Sequence, residues 1–195
     1  MILLGAAFGL TMLPEKGYRS VVPPGDVLLK STDQSRFLAT HTIAERLIQR
    51  DPSILLIDVR MVDEFEDYNI PSSVNVPLEE ILNVYAELYV NQDAMDIVFY
   101  SNGDVFAEQA WNLCVQKGYK NLYVMKGGLN SWFATIIQPT RPDETAPSEA
   151  FDLYSFERAA SIYFGGTAVG ASIAPVQKKN VVVRKKEKKA AEGGC

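Results

Sequence analysis

The chain is poor in the residues from which most reactive sites are built. It has one histidine, His41, and two cysteines, Cys114 and Cys195, among 195 residues. That is too few for a four-ligand zinc centre, so no metal is expected, nor any cofactor. Two cysteines also exclude a disulfide framework. A serine nucleophile would have only His41 to activate it. Long apolar runs are scarce too. Residues 1–13 are uncharged and apolar apart from Thr11, but as a helix they would reach about 20 Å, short of the ~30 Å hydrocarbon core. No basic residue precedes this run and no convincing small-residue cleavage site follows it, so it is not expected to be a well-formed signal peptide. Residues 1–13 are expected to anchor the chain to a membrane, the alternative being a buried or interfacial segment. Lys16 and Arg19 follow the run and favour a domain facing the cytoplasm.

What is present suits one globular domain with extensions: 47% hydrophobic and 22% charged residues. The net charge of -5 is unevenly spread. Residues 178–195 hold seven of the 19 basic residues and two of the 24 acids. A +5 tail therefore follows a strongly acidic body, which does not fit a nucleic-acid partner. The tail is too polar to bury and reads as flexible. Its Lys178, Lys179, Arg184, Lys185, Lys186, Lys188 and Lys189 could attract anionic lipid head groups. It ends Gly193-Gly194-Cys195, a thiol on a tether that could carry sulfur.

Periodicity organises the middle of the chain. Residues 14–41, with Pro23-Pro24-Gly25, read as a linker in which Val27-Leu28-Leu29 is a candidate edge strand. Thr42-Ile43-Ala44-Glu45 has the form of a capping box opening a helix that Asp51-Pro52 ends. Apolar strand-like runs at 54–58, 74–76, 96–100 and 122–125 alternate with helical patterns at 61–68, 78–89, 105–117 and 128–134. In the 78–89 segment, Leu78, Ile81, Leu82, Tyr85, Leu88 and Tyr89 share one helical face. Alternation of this kind predicts βα units and a parallel sheet covered on both faces. Residues 137–177 read as an extension with one helix, capped by Ser148, in which Leu153, Phe156, Ala160 and Tyr163 form the inner face and Gly165-Gly166 the stop. The turn from 100 to 107 joins the most apolar strand to the best-formed helix, so the helix's free amides face back into it as an anion cradle.

Leu56-Ile57-Asp58-Val59-Arg60 with Glu64-Phe65, Asn69-Ile70-Pro71 with Val74-Asn75-Val76-Pro77, and Gly118-Tyr119 with Val124, Gly127-Gly128-Leu129 and Trp132 stand in a characteristic order. Through these motifs, residues 42–136 resemble a rhodanese-like domain. The resemblance implies an α/β, three-layer fold with a five-stranded, mostly parallel sheet. It places the active site in the 100–107 turn, where active members carry a cysteine that takes up sulfur as a persulfide. Here Ser101 stands in that place, and Asn102, Gly103, Asp104, Val105 and Phe106 complete a degenerate loop: Asp104 adds an anion, and Val105-Phe106 replaces the usual Arg-Ser. A serine hydroxyl holds no persulfide, so no catalytic residue is expected. The turn is expected to be a tight one with an Asx or Ser cap, or else a retained small-molecule or peptide pocket whose rim has drifted at Asn69 and Ser72-Ser73. Arg60 is expected to pair with Glu64 or Glu66, and Cys114 to be buried and inert. The implied protein is a membrane-tethered, catalytically inactive rhodanese-like domain acting as a binding or accessory module for a protein partner, an integral membrane protein among the candidates. The alternative is a sulfurtransferase or sulfur carrier using Cys195.

Overall fold

Five strands, the three central ones too apolar to face water on either side, form the middle layer of the computed structural model, which describes residues 22–166. The elements run α1 (Pro24–Thr32), β1 (Phe37–Leu38), α2 (Thr40–Ile48), β2 (Ile54–Asp58), α3 (Val62–Asp67), β3 (Val74–Asn75), α4 (Val84–Val90), β4 (Asp96–Tyr100), α5 (Asp104–Gln116), β5 (Leu122–Met125), α6 (Gly128–Trp132) and α7 (Ser148–Tyr163). Tight 3₁₀ turns precede β1 and follow β3, and α6 runs on into a π-helical turn, Phe133–Ile137. The sheet order is β1-β5-β4-β2-β3, and every pairing is parallel.

Alternation along the strands divides the core in two. Ile57, Ile97, Phe99 and Val124 point to the face covered by α1, α4 and α5, where they meet Val27, Ala86, Val90, Ala107, Ala110 and Trp111. Leu56, Val98, Tyr100 and Met125 point to the other face, against Ile43, Ala44, Leu129, Trp132, Ile136 and Ala160 from α2, α6 and α7. The result is an α/β fold of three layers, with seven α-helices among the described residues.

Four local expectations are corrected. The segment read as a linker contains α1, and the edge strand is Phe37–Leu38 rather than Val27-Leu28-Leu29. Pro24 sits at the first helical position, where a missing N–H costs nothing; Val27 turns inward while Leu28 and Leu29 stay exposed. The capping box does not form: α2 starts at Thr40, three residues early, with Ala39 rather than Thr42 as an N-cap that makes no side-chain bond. Thr40 is buried, its hydroxyl paired with that of Thr135 at 2.7 Å, and this draws the helix start inward. The single helix expected at 78–89 is broken, because the Asn83 side chain accepts from the Tyr85 amide at 3.2 Å and opens α4 in a new phase. Ile81, Ala86 and Val90 are buried instead, and Tyr85 is 76% exposed. In α7 the N-cap is Pro147, not Ser148. Ala160 and Ser161 are the buried residues of α7, Phe156 packs against the core, and Leu153 and Tyr163 are exposed.

Residues 1–13, expected to anchor the chain, and the tail 178–195 lie outside the described residues. Among those described, no helix is long and apolar enough to cross a membrane.

Candidate functional site

The chain leaves β2 to one side through β3 and returns to the other side through β4, so the β2/β4 junction is where the winding direction reverses. Clefts at the carboxyl ends of strands form at such reversals. Parallel pairing sets Asp58 beside Tyr100, which brings the turn after β2 against the turn after β4.

The β4 turn is closed on itself. Ser101 is 1% exposed, and its hydroxyl donates to the carbonyl of Gly103 at 2.7 Å. The carbonyls of Ser101 and Asn102 accept from the amides of Leu129 (2.8 Å) and Asn130 (3.0 Å), both in the first turn of α6. These donors, which a helix start would otherwise offer to an anion, are thus spent on the loop itself. The approach depends on Gly128, whose φ is +55°. A Cβ there would lie 2.5 Å from the Ser101 carbonyl oxygen and 2.8 Å from the Gly103 Cα. Asp104 ties down the other side, its Oδ1 accepting from the Gly127 amide at 2.6 Å. The side-chain cap expected for α5 is absent: Gly103 is the N-cap and makes no side-chain bond. Val105 and Phe106 project into solvent from the first turn of α5 and supply no donor. A carboxylate and two apolar side chains therefore border the amides that could have stabilised a thiolate.

Arg60 departs from expectation. Its partner is Asp58, not Glu64 or Glu66: Nε donates to Oδ1 at 3.0 Å and Nη2 to Oδ2 at 2.6 Å, both residues buried. Nη2 also donates to the Tyr68 carbonyl at 2.6 Å, and Nη1 to Asn102 Oδ1 at 3.3 Å. Burial alone would lower the Arg60 guanidinium pKa, but the Asp58 hydrogen bonds and charge more than offset it, and the net direction is up. Glu64 accepts instead from Asn102 Nδ2 at 2.7 Å. Asn102 thus bridges the two turns, a link no local pattern announces. Asp58 did carry a signal, since a carboxylate closing an otherwise apolar strand must find a cation.

Of the expected rim residues, Asn69 and Ser73 turn inward, while Ser72 is exposed in the left-handed region at φ +69°. Asn69 donates to the Phe65 carbonyl at 3.0 Å. The Ser73 hydroxyl pairs with the Tyr100 phenol at 2.8 Å, and that phenol also accepts from the Ile70 amide. Burial, then the nearby Asp58, hold the Tyr100 proton on well above the usual range. Cys114 is buried on α5, its thiol pushed up to about 12 by desolvation, so it stays protonated. His41 is half-buried in the first turn of α2. No group of three or more potential metal ligands occurs among the described residues. Cys195 and the seven basic tail residues lie outside them.

Residues 40–135 match the rhodanese-like domain family. A tRNA uridine(34) hydroxylase of Hamiltonella defensa is 25% identical over 110 residues, 55% of this chain and 30% of that protein. A probable molybdopterin-synthase adenylyltransferase of Pyropia yezoensis is 31% identical over 105 residues, 53% of this chain and 27% of that one. A thiosulfate:glutathione sulfurtransferase of Saccharomyces cerevisiae is 27% identical over 94 residues, 43% and 68% of the two chains. The chain thus spans less than a third of the length of the first two relatives. With the sheet order, the paired turns and the match over 40–135 in agreement, residues 40–135 of the chain form a rhodanese-like domain.

Proposed function

We propose that this rhodanese-like domain binds or positions a partner and does not itself transfer sulfur. The observation that carries this reading is the state of residue 101: a serine, 1% exposed, its hydroxyl held by Gly103 and its backbone by α6. A serine hydroxyl ionises far above neutral pH, and no histidine lies in the loop to take its proton. Exposed Val105 and Phe106 give the rim an apolar surface suited to a protein partner. Tethering through residues 1–13, with the basic tail drawn to anionic lipid, completes the proposal. The full chain should float with anionic vesicles, and added salt should weaken only the tail's part of that binding.

The test of the central point is sulfur transfer from thiosulfate to cyanide by the full chain. No turnover above the buffer blank is expected, for the chain or for Cys195→Ala. Turnover that survives Cys195→Ala overturns the reading.

A second reading, sulfur handling by Cys195, is favoured by the likeness to a sulfurtransferase and by the protonated, buried Cys114, which leaves the tail thiol as the available one. Turnover lost in Cys195→Ala would select it.

A further inference from the structure

Beside the closed loop, on the far side of Asp104, lies a cleft of about 420 Å³. Its walls come from separate elements: Thr40 and His41 from the start of α2, Lys126 from the end of β5, Thr135 from the π-helical turn, Asp104 from α5 and Glu157 from α7. The residue range matched to the family ends at 135, so the α7 wall is supplied by this chain's own extension. The volume lies within the usual range for small-molecule sites.

The polar groups of the cleft divide into two kinds. The Thr135 hydroxyl donates to the Ser131 carbonyl at 2.8 Å, so in its 2.7 Å pairing with Thr40 it must accept. Thr40, 4% exposed, therefore spends its only hydroxyl proton on Thr135 and presents lone pairs alone. Asp104 is engaged through Oδ1, which leaves Oδ2 as an acceptor. Glu157, half-buried, adds a second carboxyl. Three acceptors suit a ligand ammonium. The donors are equally distinct: the Lys126 ammonium, the His41 ring, and the first amides of nine-residue α2, which no side chain caps. These suit a carboxylate. A ligand with negative charge alone would meet Asp104 and Glu157 uncompensated, and one with positive charge alone would meet Lys126.

We infer that the cleft between the start of α2, the end of β5 and α7 binds a small zwitterion of the amino-acid or short-peptide kind. It shares Asp104 and Gly127 with the edge of the loop at Ser101 but does not involve the Ser101 hydroxyl, and it stands whether or not that loop is inactive.

The chain's single histidine makes the test specific, because ring-labelled His41 gives one NMR signal that reports on this cleft alone. The probe is triglycine, titrated into the full chain in detergent. A saturable shift of the His41 ring proton is expected, with a dissociation constant on the order of 1 mM. N-acetyl-triglycine and triglycine amide, each lacking one charge, should bind at least about fivefold more weakly, roughly 1 kcal/mol. Glu157→Gln should weaken triglycine while leaving N-acetyl-triglycine unchanged, and Lys126→Met should do the converse with the amide. Both variants are checked for native circular dichroism, and either one suffices if the other fails to fold. No shift at about 10 mM, where such a site would be nearly full, overturns the inference. So do equal shifts from all three peptides, or variants that change none of them.

Discussion

Two arginines hold the two ends of the same strand pair, and they do so in opposite surroundings. At the carboxyl ends of β2 and β4, Arg60 closes on Asp58 with side-chain exposures of 6% and 0%. At the amino ends, Arg46 binds Asp51 (2.7 Å), Asp96 (2.8 Å) and the Ser53 hydroxyl (3.0 Å), with Arg46 19% exposed and both carboxylates nearly a third exposed. Similar chemistry should therefore have very different consequences. Where water is excluded, removing one partner strands the other's charge; where water reaches, it replaces the partner. The buried pair lies at the candidate site and fixes the turn on which Asn102 and the closed loop rest. The wetter pair only fastens the helix-to-strand corner.

The largest effect should come from Arg60→Met, which leaves Asp58 charged in the core. A loss of about 3–5 kcal/mol is expected in urea unfolding. Removing both charges, as Asp58→Leu with Arg60→Met, should cost clearly less than the single change, and equal costs would break the comparison. Gly128→Ala comes next, about 1–3 kcal/mol, because a Cβ at positive φ meets the Ser101 carbonyl at 2.5 Å. Its effect should appear first as faster amide exchange at Leu129 and Asn130, whose hydrogen bonds seal the loop. Arg46→Ala should cost only about 0.5–1 kcal/mol, and less in high salt. The smallest effect is pH-dependent. Hydrogen bonds from the Ser53 hydroxyl and amide, then Arg46, hold the Asp51 carboxyl at about 2 against an ordinary 3.8. A lowered carboxyl pKa stabilises the folded state fully above the ordinary value, and that contribution disappears as pH falls from 3.8 towards 2. Asp51→Asn should flatten the acid limb of the stability curve in that window, while leaving the Arg60 end unchanged.

The layers of this fold were legible because they rest on period-two and period-3.6 burial: Ile97 and Phe99 against Val98 and Tyr100 is readable without coordinates. The errors fall where a single side chain overrides the period. Asn83 restarts a helix, Thr40 is pulled toward Thr135, and Pro24 opens a helix in what reads as linker. At the site, the absence of a thiol at 101 was visible and the closure was not, since it depends on α6 amides about thirty positions away and on Asp104 reaching Gly127. Arg60 was misassigned for a related reason. Helix spacing pointed to Glu64, but a residue that ends a strand bonds across the turn it opens, and Asp58 two positions earlier was nearer.

We propose that no group in residues 22–166 is able to hold sulfur, Ser101 being a closed hydroxyl and Cys114 a buried thiol pushed up to about 12. The direct measurement is intact-protein mass spectrometry of the full chain and of Cys195→Ser after incubation with a persulfide donor. Cys195→Ser is expected to gain no sulfur adduct under conditions that load an active rhodanese. A stoichiometric adduct on Cys195→Ser would contradict it.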